Sequence, residues 1–233
     1  MKNIKSDFLF ILVVLAVFLP FILSSGAFDW YITTNRAHPL LLAFVKFAVL
    51  ASIGEMIGLR IKTGRYIPQG FGLIPRAVIW GLFGIWIAIA MKIFAIGTPV
   101  FVEGLGVDGL TAIMKDGFTM KKLLGAFCVS AALNICYAPV FMSVHKVTDA
   151  HIAEHKGKLK ALYTPIKFGK LLSNLNWDVQ WNFVFKKTIP LFWIPAHTFT
   201  FSLPADYQVL SAALLSIALG LILSIASIMS KKS

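Results

Sequence analysis

The chain has 233 residues, of which 58% are hydrophobic and only 14% are Asp, Glu, Lys or Arg; the mean hydropathy is +0.80. Ordinary soluble domains carry about a quarter charged residues, so this composition excludes a cytosolic domain, a disordered chain and a disulfide-stapled secreted module. The net charge of +12, from 22 Lys and Arg against 10 Asp and Glu, is not arranged as a basic stretch interleaved with aromatics, which argues against nucleic acid as a partner; in a polytopic membrane protein it falls in loops, sets orientation and attracts anionic lipid head groups.

About twenty apolar residues are needed to cross a hydrocarbon core. The first such stretch runs from Phe8 to Ser25 and is broken only by Pro20. The second, Leu40 to Ile61, carries Lys46 and Glu55, and the third runs from Ile74 to Ile96. The fourth, Leu123 to His145, has Asn134 near its middle. The fifth, Thr188 to Leu203, is short and interrupted by Pro190 and Pro195, and Tyr207 to Met229 closes the set. The expected fold class is therefore all-α, a polytopic helical membrane protein with about six spans. The number falls to five if the first is a cleaved signal, for which Ser25-Gly26-Ala27 offers a site, or if the fifth does not cross. Residues 1–29 form an N-terminal hydrophobic span, and 30–229 a single membrane-embedded helical domain.

With the N-terminus inside, sixteen of the Lys and Arg residues fall in inner segments, five in outer segments and Lys46 within a span. Both termini are therefore predicted to be cytoplasmic. The inner segment 146–187 is basic. Thr164-Pro165 reads as N-cap and first helical position, and Phe168, Leu171, Leu172 and Leu175 then share one face, with Trp177 and Trp181 following. This predicts an amphipathic segment on anionic head groups of the inner leaflet; a solvated loop is the plainer alternative. Cys128 and Cys136, eight apart, are about 12 Å apart along a helix and too distant for a disulfide.

Ionisable and polar groups inside spans are costly and point to function. Glu55 stands between Gly54 and Gly58, a small-xxx-small pair that admits a close helix. Lys46 lies on the opposite side, which leaves Arg60 and Arg76 as expected partners, either as a structural ion pair or around a pocket. Ser130, Asn134 and Tyr137 form a polar stripe that must face protein or water, and interhelical hydrogen bonding would satisfy it equally. In the fifth segment two prolines each remove a donor. Trp193, Pro195, His197 and Thr198 there could line a cavity, though a lone histidine is more often a satisfied core group. In the last span Ala212, Ser216, Gly220 and Ser224 repeat every four residues as a packing seam, and Gly81 and Gly84 are earlier helix-packing positions.

His151-Ile152-Ala153-Glu154-His155 fits the H-x-x-E-H pattern of inverted zinc peptidases. A zinc site needs a third ligand, with only Asp178 and Asp206 downstream, and Lys156, Lys158 and Lys160 mark a solvated loop. A metal, a cofactor and an enzymatic activity are therefore not expected, and the peptidase stands as a remote alternative.

Residues 30 to 225 resemble the Mpv-seventeen/peroxisomal-membrane-protein-twenty-two family. The similarity rests on Pro204-Ala205-Asp206-Tyr207-Gln208 followed by Leu223-Ser224, and on Trp193-Ile194-Pro195-Ala196-His197 beside that family's Trp-Pro-x-x-Gln stretch. It extends to His38-Pro39, Gly54-Glu55, Arg76-x4-Gly81-x2-Gly84, and Asn134 five before Pro139. Gln208 stands where the family has arginine, Leu133 where it has aspartate, and Leu219-Gly220 where it has Trp-Asn. The resemblance implies a helical membrane protein linked to pore-like passage of small metabolites. The start of the chain lacks the Arg-rich character of a transit segment, which favours a bacterial cytoplasmic membrane. The function expected from all of this is a passive channel for small solutes, lined by Glu55, Arg76, Asn134, Tyr137, Trp193, Pro195, His197, Thr198 and Gln208. Its partners would be the lipid bilayer and further copies of itself in a homo-oligomer; the alternative is a scaffold or accessory subunit whose polar groups only join helices.

Overall fold

Every regular element in the computed structural model is helical; it describes residues 4–229, and side chains from Ile4 to Ala218. Helix α1 spans Ile4–Leu23 and α2 Ser25–Ala37, which the Ser24 side chain caps by accepting from the Ala27 amide at 3.2 Å. Helix α3, Pro39–Thr63, opens with the proline whose missing N–H costs nothing in a first turn. It stops at Gly64, whose φ of 76° is the left-handed position that glycine adopts freely at a helix end.

Helix α4 follows as Leu73–Gly104, a one-turn α5 as Leu110–Ile113, then α6, Met120–Cys136, and α7, Ala138–Glu154. The last two form one apolar path bent by 47°. Pro139 at the start of α7 explains the bend, because its ring meets the carbonyl one turn back and offers no hydrogen bond. A 3₁₀ turn at Leu159–Leu162, then α8 at Phe168–Ser173, lead to α9 at Trp177–Val179. From Gln180 to Trp193 the chain continues as a π-helix, and α10, Ile194–Ser202, and α11, Ala205–Met229, complete the described residues.

Among the described residues three helices are long and apolar enough to cross a membrane, α1, α3 and α4; the bent α6–α7 pair makes a fourth if taken as one span. That is the all-helical membrane architecture expected, with fewer clear crossings than the six hydropathic runs. Of α11, the stretch Ala205–Ala218 is apolar but shorter. The fifth run differs most. Residues 177–202 form one continuous helical path rather than a broken one, because the i→i+5 register accommodates the prolines. The Ile194 amide donates to the Ile189 carbonyl in that register. Pro195, five after Pro190, lacks only the donor that Pro190's carbonyl would have taken.

The amphipathic stretch is also shorter than predicted. Helix α8 begins at Phe168, not at Pro165, and Thr164 donates its hydroxyl back to the Lys160 carbonyl. Asn176 then caps the next helix by accepting from the Val179 amide at 3.1 Å. Leu171 is buried, while Phe168, Trp177 and Trp181 remain exposed.

Helix α3 lies at the centre, against α4 on one side and α11 on the other, while α6 packs on α10 and α4. Small residues permit these approaches. A Cβ on Gly84 would lie 2.5 Å from the Ala43 carbonyl oxygen, and one on Gly81 would meet the Phe44 ring at 2.5 Å. A Cβ on Gly54 would come within 2.9 Å of the Ser216 carbonyl oxygen, so the predicted seam of Ala212 and Ser216 does meet α3. Gly220 and Ser224, the rest of that seam, lie on α11 beyond the described side chains. Phe47, Leu50, Met91, Val129, Leu133, Phe201 and Ala212 form the packed core between these helices.

Two ion pairs tie the ends. Arg60 binds Asp7 in bidentate fashion at 2.6 and 2.7 Å, the Tyr66 hydroxyl donates to Asp7 at 2.9 Å, and Phe10 stacks on Tyr66. At the opposite end Arg36 on α2 binds Asp206 at the start of α11 at 2.6 Å. Both cysteines are free thiols, as their spacing predicted.

Candidate functional site

A cavity of about 370 Å³ opens at the end of the bundle where α3 finishes and α4 begins. This size falls in the range of small-ligand pockets, about 300–1,000 Å³. Along α3 its lining runs from Lys62 inward to Phe47, fifteen residues or about 22 Å at 1.5 Å per residue. Phe47, Leu133 and Ala212 line its inner end and belong to the packed core, so the cavity enters from one side and stops inside the bundle.

Its mouth is ionic. Helix α3 presents Glu55, α4 presents Arg76 and Trp80 one turn apart, and α7 presents His145 and Asp149 one turn apart. The Trp80 indole donates to Glu55 Oε1 at 2.9 Å. The Arg76 Nη1 lies 3.4 Å from Glu55 Oε2, contacts Asp149 Oδ1 closely, and its Nε donates to the Phe71 carbonyl at 2.9 Å. His145 Nε2 sits 3.8 Å from Glu55 and 3.7 Å from Asp149, with no hydrogen-bond partner of its own. Trp80, Phe83, Phe141 and His145 pack ring to ring beside this cluster.

Deeper, the lining is mostly apolar with one uncharged polar seam. Ser130 donates to the Ile194 carbonyl at 2.7 Å, and Asn134 Nδ2 lies 2.9 Å from the Ser130 carbonyl and 3.0 Å from His197 Nδ1. The seam joins α6 to α10 where Ser130, Asn134, Ile194 and His197 meet. Tyr137 and Trp193 also line the cavity, and neither the Tyr137 hydroxyl nor the Trp193 Nε1–H has a protein partner although both atoms are buried.

Six of the nine sequence candidates for the pathway thus share one volume: Glu55, Arg76, Asn134, Tyr137, Trp193 and His197. Three do not line it. Thr198 donates its hydroxyl to the Ile194 carbonyl, Gln208 donates to the Leu203 carbonyl at the start of α11, and Pro195 sits in the first turn of α10. Each is used up locally by a backbone group or by helix geometry. Arg60, expected beside Glu55, binds Asp7 instead. Lys46, which was not expected to reach Glu55, bonds Asn35 Oδ1 at 2.7 Å and faces Tyr31.

Trp80, His145 and Asp149 were missed by sequence reasoning. Hydropathy places the last two at the end of a span and in a basic loop; the available signal was the one-turn spacing of each pair, Arg76 with Trp80 and His145 with Asp149. Glu55, His145 and Asp149 offer ligand atoms within 4.8 Å of one another, the one such metal-sized group among the described residues. Arg76 already lies against both carboxylates, in the space a metal ion would have to take. The H-x-x-E-H residues are elsewhere: His151 is buried with Nε2 3.0 Å from the Ala161 carbonyl, and His155 Nδ1 is 2.9 Å from the His151 carbonyl. They hold the end of α7 to the 3₁₀ turn.

The chain matches no known family model, no curated protein and no solved structure.

Proposed function

We propose that the protein is an integral membrane protein of a bacterial cytoplasmic membrane that provides a passive pathway for small solutes. Six crossings and two cytoplasmic termini accompany this reading, so that the ionic mouth faces the cytoplasm. The basic segment after α7 then lies along anionic head groups of the inner leaflet. The carrying observation is the single cavity that brings Glu55, Arg76, Asn134, Tyr137, Trp193 and His197 together from mouth to mid-bundle. Polar groups at such depth are stable only beside protein or water. The packed residues at the inner end describe a closed state, and passage requires α3, α6 and α11 to part there. The residues shared with the Mpv-seventeen/peroxisomal-membrane-protein-twenty-two family support the same direction.

Flux of a panel of ions and small metabolites in liposomes tests this, with Glu55→Gln and Asn134→Leu run beside wild type. A change in rate or preference in either variant is expected. Folded wild-type protein that passes none of the panel would sink the pathway.

A second reading, a scaffold or accessory subunit, is favoured by one observation. Asn134 is paired with Ser130 and His197, and Glu55 with Arg76 and Trp80, as groups that only join helices would be.

A further inference from the structure

We infer that the cavity takes an organic monocation with an apolar body, its ammonium seated beside Glu55. The inference rests on the pathway reading only in using the same cavity. The first argument is charge. Two carboxylates, Glu55 and Asp149, face one guanidinium, Arg76. The carboxylates outnumber the guanidinium by one, and His145 Nε2 stands 3.8 and 3.7 Å from them without a hydrogen-bond partner. The nearest ammonium, Lys146, is 3.9 Å from Asp149 on a half-exposed side chain, and Lys62 is exposed at the mouth. Water and salt screen both.

The second argument is which oxygens are free. Arg76 is in close contact with Asp149 but only at 3.4–3.5 Å from Glu55. A carboxylate offers about four lone-pair positions, and Glu55 commits one firmly, to the Trp80 indole. Glu55 is therefore the acceptor with capacity left; Trp80 and His145 reach it at 2.9 and 3.8 Å, and Phe141 packs against both of those rings in the same cavity wall. Carboxylate oxygen beside aromatic faces is the chemistry that recognises an ammonium group.

Other ligand classes fit less well. An anion would meet two carboxylates and an arginine already engaged with Phe71, Glu55 and Asp149. A divalent metal ion would have to displace Arg76 and would gain nothing from the rings. A neutral solute would leave the open oxygen of Glu55 without a charged partner. Beyond Glu55 the apolar wall accommodates a hydrocarbon or aromatic body, and the unpartnered Tyr137 and Trp193 donors admit one acceptor group on it.

The test is equilibrium binding to the full chain in lipid nanodiscs at pH 8, read by intrinsic tryptophan fluorescence and by thermal unfolding. The probes are 2-phenylethylamine, 2-phenylethanol and phenylacetate, with Zn²⁺ and Mg²⁺ alone. The amine is expected to saturate and to bind at least roughly ten-fold tighter than the alcohol, a difference of about 1.4 kcal/mol. Glu55→Gln should remove that preference. Should the variant fail to fold, thermal stabilisation of the wild type by the amine over the alcohol reads the same preference without it. Equal binding of the alcohol or phenylacetate overturns the inference, as does a preference that survives in Glu55→Gln or binding of a metal ion with none of the amine. Amine binding without flux in liposomes would keep the inference and remove the pathway, and flux without amine preference would do the reverse.

Discussion

Gly84→Ala tests the close approach of α3 and α4 that shapes the cavity. The added Cβ would lie 2.5 Å from the Ala43 carbonyl oxygen and 2.7 Å from the Phe47 Cβ. Ordinary contact begins at 3.4 Å, so the helices must part by about 0.9 Å. The obstructing atoms are a backbone oxygen and the root of a side chain, neither of which can rotate away. Overpacking of this kind costs about 1–3 kcal/mol, while alanine gains about 1 kcal/mol over glycine in a helix interior. Gly97, on the same helix, has nothing within 4 Å of its would-be Cβ, so Gly97→Ala collects the gain alone. The difference between the two variants isolates the overpacking, about 1–3 kcal/mol. Reversible unfolding in mixed micelles measures it. Because Phe47 closes the cavity's inner end, Gly84→Ala should also raise leakage in liposomes. A Gly84→Ala protein as stable as Gly97→Ala would refute the packing of α3 against α4.

Further outcomes follow from single contacts. The Arg36 guanidinium holds the Asp206 carboxyl below the usual carboxylate range, mainly through its hydrogen bonds. The resulting stability is present above the unfolded value of about 3.9 and is lost as pH falls through the lower folded value; Arg36→Gln should erase that acid-limb dependence in a pH series of melts. Asp7→Ala leaves Arg60 and Tyr66 without their shared acceptor; α1 should become more accessible to protease, and unchanged cleavage would count against this tie. Tyr137→Phe deletes a buried hydroxyl that has no protein partner and should leave unfolding unchanged or stabilise by about 1 kcal/mol, whereas a clear loss would reveal a hidden acceptor.

The parts of the fold legible in the sequence are those carried by long-period physics. Runs of apolar residues located α1, α3 and α4, and the cost of burying Glu55 and Asn134 singled out two residues that line the cavity. What stayed illegible depends on neighbours distant in the chain. Asp7 reads as part of a polar N-terminal flank until Arg60 reaches it across α3. His145 and Asp149 read as the fraying end of a span, because Pro139 redirects α7 by a bend no hydropathy window registers. The i→i+5 register between Gln180 and Trp193 has no periodicity signature distinct from a proline-broken helix. Glycine spacing located the close contacts at Gly54, Gly81 and Gly84 but not their partners.

The depth of Glu55 bears on the membrane potential. It lies eight residues before the end of α3 at Thr63, about 12 Å along the axis. Were the 25 residues of α3, about 37 Å long, centred on a hydrocarbon core of about 30 Å, Glu55 would lie about 8 Å inside, near a quarter of the way across. A monovalent charge moving between the water beyond Thr63 and Glu55 would traverse that fraction of the field. At about 2.3 kcal/mol per charge per 100 mV, its occupancy there would change roughly three-fold for each 100 mV, making the cell's own voltage a ligand-selective variable.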